Sequence, residues 1–277
     1  MSLPASALRE FIERHPRLLV LTGAGCSTGS GIPDYRDREG QWKRAEPLRY
    51  QAFVGDARLR QRYWARSLIG WPRLAAARPN AAHRALAELE RRGGVELLLT
   101  QNVDGLHQAA GSERVLDLHG RIDAVRCLAC EHREPRQQLQ AELLALNPDW
   151  AALSAATAPD GDADLDGLDF SGFQVPPCPD CGGLLKPDVV FFGENVPGAR
   201  VETALRELAA ADALLVLGSS LMVYSGYRYA QAAAEQGKPI AAVNLGRTRA
   251  DPLLSLKLDG DCAAALSWLL PETGLRH

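Results

Sequence analysis

The stretch Leu18–Arg36, LLVLTGAGCSTGSGIPDYR, decides the fold. Leu18, Leu19, Val20 and Leu21 form an apolar run of the length a buried strand needs. Gly23-Ala24-Gly25 follows at once, and Ser27, Thr28 and Ser30 then offer caps for a helix. Strand, tight glycine turn and helix start together make an anion cradle. Glycine lets the backbone approach a pyrophosphate, and the exposed N–H groups of a helix start carry partial positive charge. An ordinary strand-to-helix turn reads the same way, because a bare G-x-G is a weak signal. Two features depart from the dehydrogenase fingerprint. Thr28 stands where its third glycine belongs, and no acidic residue about 20 positions on is placed to hold an adenosine ribose.

The rest of the chain sets the frame for this cradle. Its 277 residues are 46% hydrophobic, enough for a substantial core in one large domain or two small ones. A net charge of -3 argues against a general nucleic-acid binder, which shows a basic excess. No apolar run approaches the roughly 20 residues that span a bilayer. The opening MSLPASALREFIERHPR interleaves Leu3, Leu8, Phe11 and Ile12 with charge. It reads as a short amphipathic helix without the apolar centre of a secretory signal, so the expected location is the cytoplasm. No membrane partner and no direct nucleic-acid partner are expected, and a monomer is favoured.

Residues 37–80 are too long for a βα loop of 2–6 residues. They read as a loop over the site followed by a helical module, with Leu59, Tyr63, Leu68 and Ile69 at helical spacing. Ala81–Arg92 is a helix ended by Gly93-Gly94. Val95–Leu99 and Val115–Leu118 are the next strands. They run into TQNVDGLH (100–107) and His119-Gly120. Polar groups directly after buried strands lie at the carboxyl edge of a parallel sheet, where open α/β folds bind ligands. Gln101, Asn102, Asp104, His107 and His119 are therefore site candidates, with a helix cap as the plain alternative for Asp104.

Residues 121–186 interrupt the α/β rhythm and carry Cys127/Cys130 and Cys178/Cys181, each pair C-x-x-C. Each pair places two thiolates on one knuckle, and two knuckles complete a tetrahedral site that suits zinc. Two pairs argue against a thioredoxin-like redox motif. No open ligand position is suggested, so the zinc is expected to be structural. The acidic run 159–170 lacks the glycine and final glutamate of an EF-hand and reads as a solvated loop.

After the second pair, 184–192 is an extended run taken to resume the sheet, with Pro187 placing it at an edge that could accept a guest peptide. Val201–Ala210 and Tyr227–Gln236 are helices, Ala213–Leu217 and Ile240–Val243 are strands, and 262–270 is a closing helix. Strands alternate with helices, so the expected architecture is α/β, a doubly wound, Rossmann-like parallel sheet with a smaller zinc-ribbon and helical part. Residues 1–36, 81–120 and 187–277 form the nucleotide-binding large domain. Residues 37–80 form the loop and helical module, and 121–186 the zinc module.

GAGCSTGSGIPDYR, TQNVDGLHQAAG, His119-Gly120, the paired C-x-x-C, KPDVVFFGE, GSSLMVYSGY and NLG occur in the order found in sirtuins. The resemblance runs from about Leu18 to Cys262. RYWARSLIGWP, LNPDW, FQVPPC and SLMVYSGYR are most similar to the class that includes a mitochondrial sirtuin with weak deacetylase activity. The resemblance implies an NAD-dependent protein-lysine deacylase that consumes NAD and yields free lysine, nicotinamide and an O-acyl-ADP-ribose. It places Gly23, Ala24, Gly25, Ser27 and Thr28 at the pyrophosphate, and Pro33, Asp34, Tyr35 and Arg36 in a loop closing over NAD. Gln101, Asn102, Val103 and Asp104 fall at the nicotinamide ribose and carboxamide. Gly218, Ser219, Ser220, Asn244, Leu245, Gly246 and Cys262 fall around the adenosine half. Val190, Phe192, Gly193 and Glu194 fall on the strand that meets the acylated-lysine protein substrate. His119 is the general base, acting with Asn102. Cys26 replaces a usual aliphatic residue and reads as a small buried hydrophobe. Tyr63 and Arg66 stand in a Y-x-x-R spacing that, by similarity to desuccinylating sirtuins, would read an acidic acyl tail, with a core tyrosine and a surface arginine as the plain alternative. A mono-ADP-ribosyltransferase using the same pocket and a non-catalytic NAD-binding regulator are the alternatives.

Overall fold

The computed structural model describes residues 3–43, 46–151 and 168–271. Its strands are β1 (Leu18–Thr22), β2 (Val95–Thr100), β3 (Val115–Asp117), β4 (Gly120–Cys127), β5 (Arg133–Pro135), β6 (Leu185–Val189), β7 (Ala213–Leu217), β8 (Ile240–Val243) and β9 (Leu256–Leu258). Its helices are α1 (Leu3–Arg14), α2 (Tyr50–Gly55), α3 (Ala57–Ala76), α4 (Ala81–Arg91), α5 (Leu106–Ala109), α6 (Arg136–Leu146), α7 (Pro148–Ala151), α8 (Gly198–Ala210), α9 (Tyr224–Glu235) and α10 (Cys262–Leu266).

Six strands form one parallel sheet in the order β3-β2-β1-β7-β8-β9. Sequence order therefore reverses between β1 and β7, which makes the crevice at their carboxyl ends the topological switch point. Every residue of β1, β7 and β8 is buried, as continuous apolar runs require when helices cover both faces. Leu18 and Val20 face one core with Leu86, Leu89 and Leu266. Leu19 and Leu21 face the other with Leu208, Tyr229 and Ala233. No helix among the described residues is long and apolar enough to cross a membrane.

The second sheet is antiparallel, in the order β5-β4-β6. Here the structure corrects the expectation that 184–192 resumes the main sheet. β6 is an edge strand, as Pro187 requires, but its partner is β4. The turn that diverts the chain is Gly120, at φ 79°, where a Cβ would stand 2.1 Å from Asp188 O. Only glycine lets β4 leave β3 and run so close to β6. Its core joins Phe53, Tyr63, Trp64 and Leu68 of the helical module to Val125, Leu139, Leu143, Phe173 and Leu185. Residues 159–167 of the acidic run lie outside the described residues.

A second correction concerns the glycine turn. No α-helix follows it. Two short 3-10 turns, Ala24–Cys26 and Thr28–Ser30, stand in its place. Gly31 at φ 82° ends the second turn, and Pro33 follows without an amide hydrogen, so no longer helix propagates.

Candidate active site

The floor of the site is backbone against backbone. Gly23 N–H donates to Leu217 O at 3.0 Å and Gly25 N–H to Gly218 O at 2.9 Å. A Cβ at Gly23 would lie 2.7 Å from Ser219 Cβ, and one at Gly25 3.0 Å from Gly218 Cα. The glycines thus bring the ends of β1 and β7 into contact at the switch point.

β2 delivers the polar groups. Gln101 N–H donates to Thr22 O at 3.0 Å, and its side-chain Nε2 to Ser219 Oγ at 2.7 Å, tying three strand ends together. Asn102 Nδ2 donates to Gly23 O (3.0 Å) and Ser27 Oγ (3.1 Å). Ser27 in turn donates to Asp104 Oδ2 at 2.7 Å. Asp104 Oδ1 also accepts from Leu106 N–H at 2.9 Å, so this carboxylate caps α5 and joins the network at once. Behind Ser27, Asn80 N–H donates to His83 Nδ1 in a capping box that starts α4. Burial pushes the His83 imidazole below its usual range. The Cys26 thiol and ring nitrogens of His83 and His107 lie within 4.8 Å of one another. Cys26 is 2% exposed in the main core, as a small hydrophobe should be, and burial holds its thiol protonated.

His119 follows β3 at the corner where the chain crosses to the second sheet. Its Nδ1 is 3.0 Å from Gln101 O and its Nε2 2.9 Å from Ser225 Oγ. Burial pushes the imidazole down to about 4, against a smaller opposing effect of the Gln101 carbonyl, so the ring is neutral at neutral pH. Its own carbonyl accepts Val190 N–H at 2.8 Å, which couples His119 to the segment after β6. That segment is braced by a buried ion pair. Lys186 Nζ lies 2.9 Å from Glu194 Oε2, which also accepts Phe191 N–H at 2.9 Å. Glu194 therefore shapes the 190–194 segment through its own side-chain bonds.

A cavity of about 440 Å³ joins these groups. It is lined by Gly23, Ala24, Gly25, Ser27 and Thr28 of the turn, and by Asp34, Tyr35 and Arg36 of the loop. Gln101, Asn102, Val103, Asp104 and His119 line its centre. Gly218, Ser219, Ser220, Asn244, Leu245 and Cys262 line one end. Tyr63, Val190, Phe192, Gly193 and Glu194 line the other. Pro33, Gly246 and Arg66 are not among the described lining residues. Gly246, at φ 83°, instead admits the loop: a Cβ there would meet Arg38 O at 2.3 Å, and Arg247 N–H donates to that carbonyl at 2.8 Å. The loop is further held by Arg36, which lies 3.8 Å over the Trp42 ring, and by the Trp42–Phe192 edge contact at 5.4 Å. Sequence reasoning missed Trp42, Met222, Tyr224, Ser225, Arg228 and Asp261, all of which line the cavity.

The zinc ligands converge as expected. Cys127 and Cys181 Sγ are 3.5 Å apart, and Cys130 and Cys178 Sγ 3.7 Å. A tetrahedron with 2.3 Å metal–sulfur arms has edges of about 3.8 Å, so the four thiols fit zinc. Gly183 clears the knuckle: a Cβ there would lie 3.0 Å from Cys127 Sγ. Chelating the metal, or the change Cys178→Ser, is expected to lower Tm by about 10 °C or more, because structural zinc supplies folding free energy. Thermal melts paired with zinc quantification check this. An unchanged Tm in metal-free protein contradicts it.

Fold and cavity define a zinc-bearing, doubly wound α/β protein of the nucleotide-binding class. Residues 23–225 match the Sir2 family. An NAD-dependent protein deacetylase of Xanthomonas campestris pv. campestris (strain 8004) is 68% identical over 263 residues, covering 95% of this chain and 90% of that protein. NAD-dependent protein deacetylase 2 of Bradyrhizobium diazoefficiens is 61% identical over 268 residues, covering 97% and 98%. A solved Sir2 complex with a p53 peptide and NAD+ superposes with a TM-score of 0.77 at 30% identity, covering 97% of each chain. Sir2 bound to an acetylated peptide gives 0.76 at 29% identity over the same shares. The chain belongs to the Sir2 family.

Proposed function

We infer that this protein is an NAD-dependent protein deacetylase. It transfers the acyl group of a modified lysine to the ADP-ribose part of NAD and releases nicotinamide. The observation that carries this reading is the placement of a neutral imidazole, His119, in one cavity with the glycine cradle and the 190–194 segment. NAD is a consumed substrate and zinc the resident metal.

The residues divide the work. Gly23–Gly25, Ser27 and Thr28 form the turn that faces the pyrophosphate, the glycines keeping side chains out of its way. Asn102 and Asp104, locked through Ser27, hold the nicotinamide end. Closure of the 33–43 loop on Phe192 keeps water from a C1′ centre with oxocarbenium character. The acyl oxygen attacks that centre, and His119 then takes the proton of a ribose hydroxyl so that its oxygen can attack the acyl carbon. We divide the chain into a nucleotide-binding body (1–36, 81–120, 187–277), the loop and helical module (37–80) and the zinc module (121–186). β6 is shared, since it pairs with β4. Mass spectrometry of an acetyl-lysine peptide incubated with and without NAD tests the reading. Free lysine with O-acetyl-ADP-ribose is expected. ADP-ribosylated peptide without free lysine would favour the transferase alternative.

The acyl end is read by Tyr63, whose ring is packed 5.3 Å from Phe191 at the cavity wall. Arg66 stands three residues further along α3 and is not among the cavity-lining residues. Arg66→Ala is therefore expected to change kcat/KM on acetyl- and glutaryl-lysine peptides by the same factor, within about threefold. A loss confined to the glutaryl peptide would restore a carboxylate-reading role, for which a charge-assisted pair is worth roughly tenfold or more.

A further inference from the structure

His119 has one lone pair to offer, and a serine stands on it. A carbonyl oxygen only accepts, so the Gln101 contact places the ring hydrogen on Nδ1 and the lone pair on Nε2. Ser225 Oγ lies 2.9 Å from Nε2, and in that contact the serine must be the donor. We propose that Ser225 is a catalytic residue of the acyl-transfer step, its hydroxyl relaying the proton of the bound ribose hydroxyl to His119 Nε2. This rests on the deacetylase reading above.

The backbone that presents Ser225 to the imidazole is held from several sides. It is the second residue of α9, whose first turn is closed by Gly226 N–H and Tyr227 N–H on Val223 O, both at 3.1 Å. Leu221, the only non-glycine residue at positive φ (54°) among those described, turns the chain just before α9. Gly226 seats the helix on Gln101, where a Cβ would lie 2.5 Å from Oε1. Gln101 cannot yield freely, because its Nε2 is bonded to Ser219 Oγ. The same glutamine thus fixes His119 through its carbonyl and α9 through its side chain.

Donation to Nε2 leaves the serine oxygen with lone pairs to accept a hydrogen bond, and Ser225 lines the cavity. In the step, Oγ takes the proton of the substrate hydroxyl as its own proton passes to Nε2. The imidazole becomes imidazolium, the substrate oxygen gains the electron pair that forms the new bond to the acyl carbon, the C=N π pair of that imidate carbon passes to the lysine nitrogen, and the serine hydroxyl is regenerated. The charged group that acts on the imidazole is Arg200 from α8, while Arg228 from α9, Asp104 before α5 and Glu194 after β6 line the same cavity. Arg200 adds to burial in disfavouring the imidazolium. The serine's hydrogen bond also favours the neutral ring.

Ser225→Ala and Ser225→Thr test the relay with an acetyl-lysine peptide and NAD. Two rates are read: exchange of labelled nicotinamide into NAD, which precedes the proton transfer, and deacetylation, which requires it. In the alanine variant deacetylation should fall by roughly 10- to 100-fold, while exchange stays within about threefold. The acid limb of its deacetylation profile should rise by about half to one pH unit, the loss of one neutral hydrogen bond to the unprotonated ring. Threonine, which keeps the hydroxyl, should restore deacetylation to within about fivefold. Equal losses in both rates, no loss in either, an unmoved acid limb, or a threonine variant as slow as alanine would each overturn the relay. A wild-type protein that neither exchanges nor deacetylates would instead remove the deacetylase reading on which it rests.

Discussion

His119→Ala is expected to cut deacetylation by about 10³- to 10⁴-fold while leaving NAD affinity within about threefold. The reason lies in what the ring touches. Its two hydrogen bonds go to Gln101 O and Ser225 Oγ, and neither partner depends on it for its place. Gln101 is held by Thr22 and Ser219, and Ser225 by the first turn of α9. The glycine cradle is assembled by β1 and β7 without it. Isothermal titration with NAD and steady-state deacetylation on one preparation check the split. The pH arm has a definite sign. Burial holds the folded-state pKa at about 4, below the ordinary 6.5, so the base stays unprotonated as pH falls through the 6s. The wild-type rate should therefore lose His119 only near pH 4. A profile in which this ring titrates at 6.5 would mean that the imidazole is solvated.

Gly218→Ala should be among the most damaging single-methyl changes at the described residues. Gly218 sits at φ 60°, and a Cβ there would lie 2.3 Å from Cys26 N and 2.6 Å from Gly25 C. Those neighbours are backbone atoms of the cradle, with no side-chain end to rotate aside. Relief requires the ends of β1 and β7 to part, at the expense of the bonds Gly25 N–H to Gly218 O and Gly218 N–H to Val243 O, both 2.9 Å. A loss of about 3 kcal/mol or more is expected, with Tm lower by roughly 6–12 °C. NAD affinity should fall with it, because the displaced turn is the one proposed to face the pyrophosphate. Gly237→Ala is the control. Gly237 has φ 67° but nothing within 4 Å of the added carbon, so only the conformational cost of about 1 kcal/mol remains. Equal Tm shifts in the two variants would show that close approach at the switch point does not matter.

Much of this was legible in the residues. The runs LLVL, ALLVL and IAAV could only be strands buried on both faces, and their alternation with amphipathic helices sets a parallel sheet. The four cysteines carried their own geometry. What escaped has physical causes. β9 is three residues long and β5 likewise, too short for a period to register. β4 alternates as a strand should, but it follows a strand with only Leu118 and His119 between, and nothing marks Gly120 as the corner. The glycine turn promised a helix because its serines and threonine are good caps, yet Gly31 and Pro33 limit it to two short turns. Ser225 was hidden for a different reason. A hydroxyl near a helix start reads as a cap until its distance to an imidazole 106 positions earlier is known.

The sheet order also governs how the protein can be made. β1 lies between β2 and β7, and its register with β7 pairs Leu18 with Ala213. While the polypeptide emerges from the ribosome, the earliest strand has a neighbour on one side only until about residue 217 has been synthesised. The cradle cannot close before then, since Leu217 and Gly218 supply the carbonyls that Gly23 and Gly25 need. A fragment released early would carry a solvent-facing LLVLT edge, the kind of surface that chaperones engage.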